Sequence, residues 1–203
     1  NTPTHTVGAL GGTPLVNGAS QTSTYDSVKT TMTQTLNIDG ASASVTGWAK
    51  AGDVFTIAGV FAVNPVTKAT LPFLRQFTVT ADADSSGGGA VALSIYPAII
   101  TTGAFKNCSA APADNAAITV VGTAGTDYRQ NMIFHKNAFA LAMVPLPMPS
   151  GAVDGARESY KGLSVRVQPY YDGTNDVSNW RLDILYGTKA IDPRLATRLS
   201  GTA

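Results

Sequence analysis

Charge, cysteine and long apolar runs are all scarce in this 203-residue chain, and each scarcity removes a class of function. A single cysteine, Cys108, excludes an intramolecular disulfide and with it a disulfide-stapled secreted scaffold. No run reaches the roughly 18 apolar residues that a bilayer-spanning helix needs, so no membrane partner is expected. Only 13% of residues are charged, and 14 basic against 13 acidic side chains leave a formal net charge of +1. That balance supplies no global field to draw nucleic acid or an acidic surface, which leaves only a local basic patch open. The opening residues, Asn1-Thr-Pro-Thr-His-Thr6, lack the basic and apolar regions of a signal peptide. A start at Asn1, with neither Met nor leader, carries the expectation that a preceding part is missing.

What the chain has in quantity is Gly, at 20 residues, together with Thr, Ala and Ser, while Glu occurs once, at Glu158. Such a mixture favours strands and turns over long amphipathic helices. Residues 1–29, with Gly8, Gly11, Gly12 and Gly18 spread through them, read as a loop or arm. Alternation of apolar and polar residues predicts short strands at 33–38, through Leu36 and Ile38, and at 42–49, through Ala43, Val45 and Trp48. It predicts further strands at 54–63, interrupted at Gly59 where a bulge fits, at 75–80, at 90–96 and at 118–121. Residues 82–89 read as a flexible connection. Six or seven short strands in this stretch argue for a small closed barrel or sandwich.

Residues 131–144 carry Met132, Ile133, Phe134, Phe139, Leu141, Met143 and Val144 at a spacing that serves either a short buried helix or a strand. Pro145, Pro147 and Pro149 then end regular structure by removing amide donors. Two alternating segments, 163–171 and 177–186, flank the polar turn Asp172-Gly-Thr-Asn-Asp176 and predict a long hairpin, followed by a basic tail.

No converging catalytic set accompanies these elements, and no enzyme activity or cofactor is expected. His5, His135 and Cys108 are far apart and fall in no metal-ligand pattern, so no metal site is predicted. His5 sits in the arm, and His135 is a packed or surface residue. Cys108 has no paired base in its neighbourhood and reads as an inert thiol. Gly87-Gly-Gly89 lacks the Lys-Ser or Lys-Thr of a phosphate-binding loop. Asp39, Asp53, Asp114, Asp172 and Asp176 all lie at turns, where Asp accepts local backbone hydrogen bonds, so no acid–base pair is drawn from them.

The segment Tyr160-Lys-Gly-Leu-Ser-Val-Arg-Val-Gln-Pro-Tyr-Tyr-Asp-Gly-Thr-Asn-Asp-Val-Ser-Asn-Trp-Arg-Leu-Asp-Ile-Leu-Tyr-Gly187 resembles the C-terminal region of the gene product 5 type coat proteins of short-tailed, double-stranded DNA bacteriophages. The run from Thr188 to Leu199 is similar to their terminal segment, and Asn131-Met-Ile-Phe-His-Lys-Asn137 with the residues up to Pro149 is similar to the part that returns from an inserted domain. Val16-Asn-Gly-Ala-Ser-Gln21, Leu36-Asn-Ile-Asp-Gly40 and Lys50-Ala-Gly-Asp-Val-Phe-Thr-Ile-Ala-Gly-Val60 extend the likeness over most of the chain.

That resemblance implies a mixed α+β, β-rich fold: the tailed-phage capsid fold, with peripheral and axial domains and an inserted antiparallel β-barrel domain. Residues 1–32 would be an N-terminal loop and part of the axial domain, 33–122 the inserted barrel, and 123–159 the return segment of the axial domain. Residues 160–187 would form the β-ribbon of the peripheral domain, and 188–203 the C-terminal segment. Complete family members begin with an arm, an extended loop and a long spine helix, so the sequence looks like a C-terminal half.

The implied function is that of a structural subunit of an icosahedral capsid enclosing double-stranded DNA. Its partners would be copies of itself in hexamers and pentamers, scaffolding and portal proteins during assembly in the host cytoplasm, and packaged DNA through non-specific contact. A phage decoration or receptor-binding β module is the alternative. Contact surfaces of this kind draw on aromatic and Arg anchors. Arg166 and Arg181, on the more exposed positions of the hairpin, and Arg194 and Arg198, which share a face on a helical turn, are candidate subunit contacts. Asp82 and Asp84 in the 82–89 loop are candidates as well. Trp180 either anchors such a contact or packs in the core, as Tyr170, Tyr171 and Tyr186 do in or near the ribbon.

Overall fold

The computed structural model describes residues 3–23, 32–151, 154–192 and 195–200. Its strands, in chain order, are β1 Thr4–Thr6, β2 Gly12–Val16, β3 Gln34–Ala41, β4 Val54–Val63, β5 Thr70–Val79, β6 Val91–Tyr96 and β7 Ile118–Val121. They continue as β8 Asp127–Phe134, β9 Phe139–Met143, β10 Ala156–Tyr160, β11 Leu163–Asp172, β12 Val177–Asp183, β13 Tyr186–Ala190 and β14 Ala196–Ser200. No α-helix occurs among the described residues, so the β-rich expectation holds and its helical component does not. The chain divides into two compact units, one built on Asn1–Gln130 and one on Asn131–Leu199.

In the first unit a six-stranded antiparallel sheet runs β2-β3-β6-β5-β4-β7. An antiparallel bridge between Leu15 and Ala117 brings its two edge strands together, and the Val16 amide donates to Ala116 O at 3.0 Å, so the sheet nearly closes into a barrel. Inward residues follow the period of two. Leu36 and Ile38 on β3, Val91, Leu93 and Ile95 on β6, and Phe77 and Val79 on β5 are all buried. On β4 the phase changes at Gly59: Phe55 and Ile57 point inward before it, Val60 and Ala62 after it. Gly59 has φ +80 and the β4–β5 register shifts between Thr56 and Phe61, the signature of a bulge. Phe55 and Phe77 face each other across that ladder with ring centroids 5.7 Å apart. Burying each such side chain contributes about 1.5–3 kcal/mol relative to exposure. With Trp48 and Ile99 they form one continuous core.

Three parts of this unit differ from expectation. The arm is structured, because β2 pairs with β3 and β1 pairs with β8. Residues 42–49 make turns rather than a strand, and two of their amides are taken by side chains: Ser85 Oγ accepts from Val45 N at 2.7 Å and Asp84 Oδ1 from Gly47 N at 2.6 Å. The 82–89 connection is accordingly fastened, with Ala83 bridged to Ala49 and Ser85 buried.

In the second unit β10, β11 and β12 form a three-stranded antiparallel sheet, and β13 pairs with β9. The region 131–144, open between helix and strand in the sequence, is the end of β8 followed by β9. The expected hairpin is β11–β12, in register from Arg166 opposite Asp183 to Asp172 opposite Val177. Strand β14 lies beside β8. Of the second unit's described hydrophobic side chains only Ala138 is buried.

Candidate functional site

The three-stranded sheet of the second unit is organised by its own alternation. Residues directly opposite one another share a face, as do residues two apart. The pairs Arg157 with Arg166, Ser159 with Ser164, Arg166 with Asp183, and Gln168 with Arg181 therefore line one polar face. On it, Arg166 donates from Nη2 to Asp183 Oδ2 at 2.6 Å and from Nε at 3.2 Å, and from Nη1 to the Pro147 carbonyl at 2.6 Å. Arg181 Nε donates to the other carboxylate oxygen at 2.6 Å. Hydrogen bonds first from Arg166 and then from Arg181 hold the Asp183 carboxyl below its ordinary value. Ser159 and Ser164 hydroxyls pair at 3.0 Å.

The opposite face is mainly apolar and exposed, with Glu158 opposite Val165 and Ser178 opposite Tyr171 as its polar members. Tyr160 stands opposite Leu163, Val167 opposite Leu182, and Pro169 opposite Trp180, with Val165 and Tyr171 at the intervening positions. Trp180 is 67% exposed, Leu182 70% and Tyr160 69%. Lys161 Nζ lies 5.3 Å from the Tyr160 ring centroid at one end. An apolar sheet face backed by almost no buried core is the arrangement of a surface meant to be covered, because an exposed patch of this kind is unfavourable in water.

The hairpin tip is self-contained. Asp172 accepts from Thr174 N at 3.0 Å and from Asn175 Nδ2 at 2.7 Å, and these bonds lower its carboxyl pKa, that of Asn175 most. Tyr171 donates its hydroxyl to Asp176, which raises the phenol's pKa.

The structure distributes the sequence-predicted contact residues unevenly. Trp180 is exposed on the apolar face, and Arg181 is exposed while bonded to Asp183. Arg166, expected on an exposed position, has a side chain only 12% exposed and bonded within its own chain. Asp82 and Asp84 are exposed residues whose carboxylates accept from Ala51 N at 2.8 Å and Gly47 N at 2.6 Å. Arg198 is exposed on strand β14, so the expected helical turn is not formed there, and Arg194 lies outside the described residues. Sequence reasoning missed Asp183 as the common partner of two arginines. It also missed Leu182 and Tyr160, whose parity with Trp180 and Leu163 becomes visible only once the register is known.

Two features bear on chemistry. Cys108 is buried in the barrel core, and burial pushes its thiol up to about 11 against the opposing pull of the Arg75 guanidinium. No group of three His, Cys, Asp or Glu side chains able to hold a metal occurs among the described residues, and no described helix is long and apolar enough to cross a membrane.

Comparison with known proteins turns this geometry into a kinship. The family model described as P22 coat protein, gene protein 5, matches residues 2–201. The chain is 29% identical over 185 residues to the major capsid protein of Acyrthosiphon pisum secondary endosymbiont phage 1, covering 87% of this chain and 44% of that protein. It thus spans less than half the length of this curated relative. Among solved structures it is similar to the CUS-3 coat protein I-domain, at 30% identity and a TM-score of 0.32, covering 58% of this chain and 96% of that one. A match over nearly the whole sequence, on a chain of barrel, hairpin and uncovered apolar sheet, identifies it as a member of the P22 coat protein family.

Proposed function

We propose that this chain is part of a structural, non-enzymatic subunit of an icosahedral bacteriophage capsid, which self-assembles into the shell around double-stranded DNA. The observation that carries the reading is the uncovered apolar face of β10–β12 in a member of a coat family. A shell subunit needs contact area rather than a reactive pocket, and its stability comes from repeating a moderate interface many times. Trp180, on the edge strand β12, supplies a large aromatic anchor on that face.

In this reading the chain takes part in the tailed-phage capsid fold. Residues 33–122 are the inserted barrel, 160–187 the ribbon of the peripheral domain, and parts of 1–32 and 123–159 belong to the axial domain. The subunit joins copies of itself in hexamers and pentamers, meets scaffolding and portal proteins during assembly in the host cytoplasm, and touches packaged DNA without sequence preference. Trp180, Arg181, Arg194, Arg198, Asp82 and Asp84 act at subunit contacts. Arg166 acts one step back, by fixing Asp183 and through it Arg181.

Electron microscopy of the complete gene product after expression tests the reading. Closed shells are expected. Compact monomers or trimers in place of shells would overturn it in favour of a decoration or receptor-binding module.

A further inference from the structure

Asp53 is a buried carboxylate, 2% exposed, whose hydrogen bonds reach well beyond its own turn. Its Oδ1 meets His5 Nε2 at 2.8 Å, and its Oδ2 accepts from Gly8 N at 3.1 Å and from Lys50 N at 2.8 Å. Lys50 belongs to the barrel's own turn, but His5 and Gly8 belong to the incoming segment, residues 3–10. A carboxylate this deep needs donors, because an unpaired buried charge costs several kcal/mol. The incoming segment therefore completes the Asp53 site, and Asp53 in turn holds the segment.

Apart from Asp53, the segment is held mostly by neutral backbone bonds. It docks between the turn at 47–53 and the outgoing strand: Val7 N donates to Thr126 O at 3.1 Å, Ala9 N to Gly47 O at 3.0 Å and Leu10 N to Trp48 O at 2.9 Å. Thr4 to Thr6 pair with Arg129 to Asp127, and Thr6 donates its hydroxyl to Asp127. The approach is close, since a Cβ on Gly8 would stand 2.4 Å from Trp48 O. The segment's sizeable apolar side chains are only two: Val7, buried but outside the continuous core of the barrel, and Leu10, half-buried against that core. Its attachment is mainly polar, whereas the barrel is held by apolar burial.

We propose that Asp53 is a latch, with His5 as its catch, that straps the incoming segment to the barrel wall and the outgoing strand, and that the strap opens without unfolding the barrel. Regions with few buried apolar contacts open locally at lower free energy than the core they rest on.

Amide hydrogen exchange on the 203-residue chain tests this, comparing the native sequence with His5→Ala and His5→Gln. Loss of a hydrogen bond to a charged group should speed exchange of the Val7, Ala9 and Leu10 amides on the order of tenfold in His5→Ala. The ladder amides of Ile38, Phe77 and Leu93 should keep their native rates. His5→Gln, whose side-chain amide offers a donor at similar reach, should return the strap amides toward native exchange. Equal acceleration of strap and ladder amides, unchanged strap exchange, or an acceleration that His5→Gln leaves in place would each overturn the proposal.

Discussion

Arg166 and Asp183 stand directly opposite each other on β11 and β12, and the guanidinium sends two of its donors to one carboxylate oxygen, at 2.6 and 3.2 Å. Arg181 takes the other oxygen, so one carboxylate joins two arginines and the Pro147 carbonyl into a single network. Such networks fix strand register as well as adding attraction.

The pH dependence of the hairpin follows from Asp183. Its carboxyl is held below the ordinary value of 3.8, so the folded state favours the charged form. Its contribution is complete above that value and is lost as pH falls through it toward the lowered one. Thermal melting between about pH 6 and pH 2 should therefore show a loss of stability on the acid side, and Asp183→Asn should reduce that loss while lowering stability at neutral pH.

Two glycines separate backbone strain from collision. Gly59, at φ +80, has open space where a Cβ would stand, whereas at Gly89, at φ +75, a Cβ would lie 2.4 Å from Ala41 O. Gly59→Ala should cost about 1–2 kcal/mol, the price of the left-handed backbone alone. Gly89→Ala should cost more, because main chain must also shift. Denaturant midpoints of the two variants give the comparison directly, and equal effects would contradict it.

Cys108 should resist alkylation in the folded chain and react readily once unfolded. Its thiol is buried and raised to about 11 from 9.0, so folding favours the neutral form. Stability from this group is complete below about pH 9 and declines as pH rises from there toward 11, where the unfolded thiolate gains. Mass spectrometry after a timed exposure to iodoacetamide, with and without denaturant, reads the protection.

The apolar sheet face should matter to assembly and little to the hairpin itself. Replacing Trp180 and Leu182 together by Ser removes two exposed side chains, and exposed substitutions usually change stability by about 0.5 kcal/mol or less. Far-UV circular dichroism of the variant should match the native chain. Sedimentation of the complete protein should show particles falling at least tenfold, roughly the effect of losing one anchor worth about 2 kcal/mol.

Much of the barrel was legible because its strands bury one face: Leu36 and Ile38, Phe77 and Val79, and Val91, Leu93 and Ile95 alternate visibly, and Gly59 announces its bulge. The strands β1 and β2 were not: β1 is only three residues long, β2 contains Gly and Pro, which are disfavoured in strands, and both are held by partners elsewhere in the chain. Residues 42–49 misled for the opposite reason, an alternation with no ladder to join. In the second unit β10 is an exposed run, Ala156-Arg-Glu-Ser-Tyr160, that takes its conformation from β11. The Asp183 network was hidden because cross-strand partners are fixed by register, which no single segment contains.

Thr4 lies opposite Arg129, so the polypeptide leaves the barrel unit beside the place where it arrived. Everything between those two residues therefore begins and ends one strand spacing apart. A module with adjacent ends can be acquired, enlarged or exchanged without altering the spacing of its host. Thr6 and Asp127 are therefore the natural places to cut for grafting this unit elsewhere.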